Sequence, residues 1–258
     1  MEDDIEMHNP FGVVPHRPNY LLPYSYNTRP NQAPFQSQTN GRNLQHGEAK
    51  FQISFRLPLW KNILDRDLHL YGAYTQLSFW QAYNNRASAP FRESNYEPEA
   101  FFAYLTPHRF LGLDNRAVFV GAAHQSNGRG TGDQSRGWNR IYAEILLNRG
   151  SFVLTLKPWW RVPDIASKDD NPDIEKYYGY GELRARWKIR SQVASLLFRN
   201  NGRGRGSNKG AIELGWSGLL VRQLHWYIQY FNGYGESLID YNHANQRIGA
   251  GVLFGEWL

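Results

Sequence analysis

The chain has no cysteine, which removes disulfides, thiolate metal sites and cysteine nucleophiles together. It has no run of about 18 apolar residues and its mean hydropathy is negative, so helical membrane spans are excluded. No secretory leader is visible either: MEDDIEMHNPFGVVPHRPNY has neither a basic n-region nor an apolar h-region. None of these absences bears on a transmembrane barrel. Its strands need only about 9–11 residues and alternate lipid-facing with polar lumenal side chains, so their average hydropathy stays low.

Aromatic rings are abundant, with 9 Trp, 16 Tyr and 14 Phe in 258 residues, far too many for a disordered chain. That length fits one large domain or two small ones. The net charge of +6 points toward nucleic acid or anionic lipid headgroups, and equally toward an ordinary solvated surface. The one basic glycine-rich stretch, NNGRGRGSNKG at 200–210, is short and occurs once. It reads as a flexible loop outside the membrane, with no nucleic-acid partner expected.

Helical periodicity is hard to find, whereas alternation at period two recurs along the chain. In YYGYGELRARWKI, Leu183, Ala185, Trp187 and Ile189 alternate with Glu182, Arg184, Arg186 and Lys188. Phe152, Leu154, Leu156 and Trp160 oppose Thr155, Lys157 and Arg161, and Ile212, Leu214 and Trp216 oppose Glu213 and Ser217. Leu224, Trp226, Ile228 and Tyr230 stand against His225 and Gln229, and Ile248, Ala250, Val252, Phe254 and Leu258 share one C-terminal face. A soluble sandwich alternates too. Three details favour a membrane barrel: mixed charges at successive inward positions, Tyr and Trp toward strand ends, and an apolar final residue.

Turn-rich segments divide the chain into eleven strands between Ala49 and Leu258, and NYLLPYSYN at 19–27 supplies a twelfth. The expected fold is therefore an all-β, twelve-stranded antiparallel transmembrane barrel, with the even strand number bacterial barrels require. Residues 1–44 form an N-terminal segment with the first strand and a long loop over 28–43, and residues 45–258 form the remainder of a single barrel domain.

The stretch HQSNGRGTGDQSRGWNR, residues 124–140, concentrates the chemistry. Val118, Val120 and Ala122 share parity with His124 and Ser126, and Asn139 shares the apolar parity of Ile141, Ala143, Ile145 and Leu147. A hairpin turning about Thr131 and Gly132 pairs residues whose numbers sum to 263, placing His124 opposite Asn139. Such pairs have Cβ atoms about 4.5–5.5 Å apart, within reach of an Asn–His hydrogen bond, and Ser126 lies at i+2 on the same face. Asn, His and Ser in that relation are a tautomer-fixing group, a base and a nucleophile. The blander reading is polar residues near a strand end in the headgroup zone.

The same stretch resembles the outer-membrane phospholipase A family, whose His-x-Ser-Asn-Gly-Arg and Ser-Arg-x-Trp-Asn-Arg patterns are matched by residues 124–129 and 135–140. YTQLSFWQ (74–81), PFRESNYEPE (90–99), KPWW (157–160), DDNPDIEKY (169–177) and GYGESLIDYN (233–242) match as well, and the likeness covers about residues 45–258. The resemblance implies a bacterial outer-membrane enzyme that hydrolyses acyl ester bonds of phospholipids and lysophospholipids, depends on Ca2+ and acts as a homodimer. Ser126 would be its nucleophile, His124 its base and Asn139 the residue orienting the imidazole. Calcium would be held by the Arg129 carbonyl and the Ser135 hydroxyl, with the hydroxyl of Ser88 from a second copy, and the Gly128 N–H would complete the oxyanion site. Asp133 and Asp170 correspond to a second calcium site, and Gln76 to the dimer interface. The loop RGTGDQS is one residue longer than in one member of the family, the last residue is Leu258 rather than the usual Phe, and residues 1–44 match poorly. A signal peptide is presumed removed. The rival reading is a porin or structural barrel, in which His124 and Asn139 would face the lumen.

Overall fold

The computed structural model describes residues 12–36, 41, 43–106, 108–110, 112–130, 134–165, 167 and 169–255. Twelve long strands run in chain order: β1 Asn19–Asn27, β2 Gly47–Trp60, β3 Leu68–Trp80, β4 Phe91–Leu105, β5 Leu113–Ser126, β6 Gly137–Arg149, β7 Phe152–Val162, β8 Gly181–Ile189, β9 Gln192–Asn200, β10 Gly210–Val221, β11 Leu224–Tyr234 and β12 Ala244–Gly255. Each pairs antiparallel with the next, and β12 pairs with β1 to close the ring. Closure satisfies the backbone of every strand without leaving an edge, as a spanning sheet requires in lipid. Two short pieces extend the sheet: Val14–Pro15 pairs with β2 at Arg56 and Phe55, and Arg109–Phe110 pairs with the start of β5.

The two rims differ. At one, Gly150, Arg190 and Arg222 take left-handed φ values of 57°, 57° and 53° in the tight connections after β6, β8 and β10, the conformation that matches a hairpin turn to strand twist. The long connections, including those that join β1 to β2, β3 to β4, β5 to β6 and β7 to β8, leave and re-enter the wall at the other rim. Short turns on one side and long loops on the other is the asymmetry of outer-membrane barrels.

Alternation maps onto the two faces of the wall as expected. Trp160, Trp187 and Trp216 are 58%, 57% and 53% exposed on the outside, while Thr155, Lys157, Arg161, Gln229 and Arg247 are buried within. Leu258, expected on the outer C-terminal face, lies outside the described residues.

The lumen is filled by paired charge. Near its middle, Arg17 Nη2 lies 2.8 Å from both Glu97 Oε1 and Glu99 Oε1, with Arg140 on Glu97 at 2.6 Å and Lys157 on Glu99 at 3.1 Å. Nearer the long-loop rim, Arg92 and Arg247 clasp Glu48 at 3.0 and 2.7 Å, and their guanidinium groups lie 4.7 and 5.2 Å from the Phe79 ring. Each of these buried charges therefore meets an opposite one, the condition under which such groups are tolerated.

Segments legible in the sequence only as turns help fill this space. Residues 235–243 bury Leu238, Ile239 and Asp240, and a one-turn helix, α1 (Glu175–Tyr178), buries Tyr178 beside Trp138. The 28–43 stretch, expected as a long loop, carries a 3-10 turn at Ala33–Phe35, and Phe35 packs with Leu44 and Ile239.

Candidate active site

β5 and β6 pair in the register expected from the sequence: His124 opposes Asn139 and Ser126 opposes Gly137. Val120, Ala122 and His124 are exposed on the outer surface, and Ser126 and Asn139 are half-buried. The pore-lining alternative requires the opposite parity. His124 Nδ1 lies 2.8 Å from Asn139 Oδ1. An amide oxygen only accepts, so Nδ1 carries the proton and Nε2 keeps its lone pair for a proton from a nucleophile. Ser126 shares the face, and its hydroxyl makes no hydrogen bond among the described residues.

The loop after β5 is built around Asn127, which is 5% exposed. Its Oδ1 accepts from Arg136 N at 3.0 Å, its Nδ2 donates to the Gln134 carbonyl at 2.7 Å, and its own N–H donates to the Arg136 carbonyl at 3.0 Å. Gly128 follows at φ +64°, and a Cβ there would sit 2.9 Å from Tyr96 Cε2. The position takes glycine for its backbone and for lack of room. Arg129 then ties the loop to β4, donating from Nη2 to the Arg92 carbonyl at 2.6 Å and facing Glu93 at 3.4 Å. Gln134 donates to the Pro34 carbonyl, which docks the N-terminal segment on the same loop.

The expected calcium ligands largely converge. Ser135 Oγ lies 3.3 Å from the Arg129 carbonyl oxygen and 2.5 Å from Asp170 Oδ2. One hydroxyl proton serves both neighbours, so this oxygen cluster has lone pairs to spare, and an all-oxygen donor set suits a hard cation. Asp170, expected at a second calcium site, thus sits against Ser135, a ligand expected of the first; Asp133 lies outside the described residues. Ser88 is exposed on the β3–β4 connection at the same rim, at φ +62°. Gln76 lies on the outer face of β3 between Ile53 and Tyr96, with Nε2 donating to Ser78 Oγ at 3.1 Å.

Asn127 entered the sequence reading only as a motif match. Asp164 did not enter it beyond a turn, and its carboxylate accepts from Asn139 Nδ2 at 3.3 Å.

A family model described as Phospholipase A1 matches residues 1–254. The chain belongs to the phospholipase A1 family. The phospholipase A1 of Escherichia coli K12 is 39% identical over 251 residues, covering 97% of this chain and 84% of that protein, and a putative phospholipase A1 of Neisseria meningitidis is 37% identical over 266 residues, covering 98% and 68%. The solved outer membrane phospholipase A of Escherichia coli superposes with a TM-score of 0.89, covering 96% of this chain and 94% of that one. The Salmonella typhi outer membrane phospholipase, solved as a dimer with bound calcium, superposes equally well at 38% identity. One form of the Escherichia coli protein is an active-site mutant with asparagine replaced by alanine. This family member is thus an outer-membrane β-barrel, with the His124–Asn139 pair on its outer, lipid-facing surface.

Proposed function

We propose that this family member is a calcium-dependent serine hydrolase that cleaves acyl ester bonds of phospholipids and lysophospholipids and is active as a homodimer. The observation that carries the reading is the 2.8 Å His124–Asn139 hydrogen bond on the outer face, beside Ser126. Polar side chains facing lipid are costly without a role. The active-site asparagine of the Escherichia coli protein and the calcium-bound dimer of the Salmonella typhi protein support it from relatives.

In this mechanism Ser126 Oγ attacks the ester carbonyl carbon while His124 Nε2 takes its proton. The tetrahedral intermediate collapses as the C–O bond to the lysolipid alcohol breaks, and His124 returns the proton to that oxygen. Water, activated by the same imidazole, then releases the fatty acid and regenerates the serine. Asn139 holds the imidazole tautomer throughout, and the Gly128 N–H stabilises the oxyanion. Calcium held by the Arg129 carbonyl, the Ser135 hydroxyl and the Ser88 hydroxyl of a second copy would add positive charge at the oxyanion. A ligand borrowed from a second copy would make dimerisation the activating step.

Ser126→Ala is expected to abolish hydrolysis of a short-chain phospholipid in detergent, and EDTA is expected to silence the wild type until calcium is restored. Retained activity in the variant removes Ser126 as nucleophile; activity under chelation removes the calcium role.

A further inference from the structure

A neutral asparagine has a weakness as the third member of such a site: its amide has two ends of similar shape. With Oδ1 toward the ring, His124 keeps its proton on Nδ1 and a free lone pair on Nε2. Turned over, the amide would present N–H to Nδ1, the ring would carry its proton on Nε2, and the base would be lost. Nothing in Asn139 itself prevents the turn, because the terminal torsion of the side chain has two broad, nearly equivalent wells.

The structure supplies a lock. Val162, at the end of β7, pairs with Asn139, and two residues further the chain presents Asp164, whose Oδ1 lies 3.3 Å from Asn139 Nδ2. A carboxylate only accepts, so it bonds the NH2 end and rejects the oxygen end, leaving Oδ1 on His124. The other carboxylate oxygen, Oδ2, faces Arg161 Nη2 at 3.9 Å, while that guanidinium is held mainly by Asp169 at 2.6 Å. Oδ1 is thus committed to the amide. The chain Asp164–Asn139–His124 crosses three consecutive elements and ends beside Ser126.

We propose that Asp164 is a positioning residue for hydrolysis, which fixes the orientation of the Asn139 amide and through it the basic tautomer of His124. The proposal rests on the Ser126–His124–Asn139 assignment. It predicts an effect on kcat without one on substrate binding, because Asp164 reaches the substrate only through Asn139.

The test is steady-state hydrolysis of a short-chain phospholipid by the full chain in detergent with calcium. Asp164→Ala is expected to lower kcat about fivefold, the worth of one modest hydrogen bond, at unchanged KM. Asp164→Asn, which keeps an acceptor oxygen, is expected to recover most of that loss. In an Asn139→Ala background Asp164→Ala is expected to cost nothing further, because the group it acts through is gone. Heat-modifiable mobility on SDS gels checks that each variant is a folded barrel. A wild-type kcat in Asp164→Ala, a loss confined to KM, no recovery in Asp164→Asn, or full additivity with Asn139→Ala overturns the proposal. Ser126→Ala separates the two levels: activity there sinks the underlying assignment, whereas a dead Ser126→Ala beside an unaffected Asp164→Ala sinks only the role of Asp164.

Discussion

Gly128 shows how much of the site is decided by single residues. It combines a left-handed φ of +64° with a would-be Cβ contact of 2.9 Å to Tyr96, and its N–H is the proposed oxyanion donor. Alanine there pays left-handed strain of about 1–2 kcal/mol and must push Tyr96 aside or swing the backbone. Gly128→Ala is expected to lower kcat at least tenfold by displacing that N–H, given the effect of losing one oxyanion donor, about 10²–10³. A kcat equal to wild type for a soluble ester would show that the position tolerates a side chain and that its N–H is not the donor. His124 and Asn139 follow the same economy, since one 2.8 Å contact selects which ring nitrogen is basic.

At the scale of elements, the connections decide as much as the strands. Residues 235–243 fold into the barrel because β4 offers partners for their backbone and charge: Asn95 Oδ1 accepts from Leu238 N at 2.9 Å, Glu93 Oε1 accepts from Ile239 N at 3.2 Å, and Arg92 meets Asp240 at 2.7 Å. The neighbouring residue on β4, Glu93, also faces Arg129 of the loop after β5, so the lumenal loop and the loop of the proposed site share one anchor. Asp240→Ala removes one of the two carboxylates that Arg92 meets, leaving it only a share of Glu48, which Arg247 also clasps, and is expected to destabilise the barrel by roughly 3 kcal/mol, measurable by urea unfolding in detergent. Burial pushes the Asp240 carboxyl up, but Arg92, with hydrogen bonds from Asn31 and Ser237, holds it below its usual value of 3.8. A lowered carboxyl contributes stability that is present above its unfolded value and lost as pH falls through the lower folded one. The stability gap between wild type and Asp240→Ala is therefore expected to persist at neutral pH and to narrow only below about pH 4.

For the whole molecule, a closed wall with a charge-filled lumen puts the chemistry outside. With its interior occupied by the Arg17, Glu97 and Glu99 network, the barrel is a closed post that presents the proposed hydrolytic site to lipid. The long-loop rim carries Ser88, Arg129 and Ser135 together, which suits a metal shared between two copies standing side by side. Gln76, an amide on the outer face among Tyr74, Ile53 and Tyr96, is the position that the family resemblance assigns to the proposed association. Gln76→Ala is expected to weaken the calcium-dependent dimer by about 1–2 kcal/mol or less, while leaving the monomeric barrel intact. Sedimentation equilibrium in detergent with calcium reads it directly, and an unchanged dimer constant would place the interface elsewhere.

The strand count, the two faces of the wall and the His124–Asn139 register were determined by the sequence alone. Side-chain direction on a strand has a period of two, and lipid outside against charge inside makes every one-residue slip expensive, so parity can be read without coordinates. Gly128, Ser135 and Arg129 were legible through a motif, which records local chemistry. Asp164 was not, and neither was the docking of residues 235–243 or of Phe35: each lies in a segment with no period, rich in the residues of ordinary turns. Their partners, Asn139, Arg92 and Leu44, stand 25, 148 and 9 positions away from Asp164, Asp240 and Phe35. Closure of the barrel brings Arg92 to Asp240, whereas the β6–β7 hairpin brings Val162 beside Asn139 and the lean of the following loop over the rim brings Asp164 to its amide; neither the closure nor the lean has a period that a sequence records.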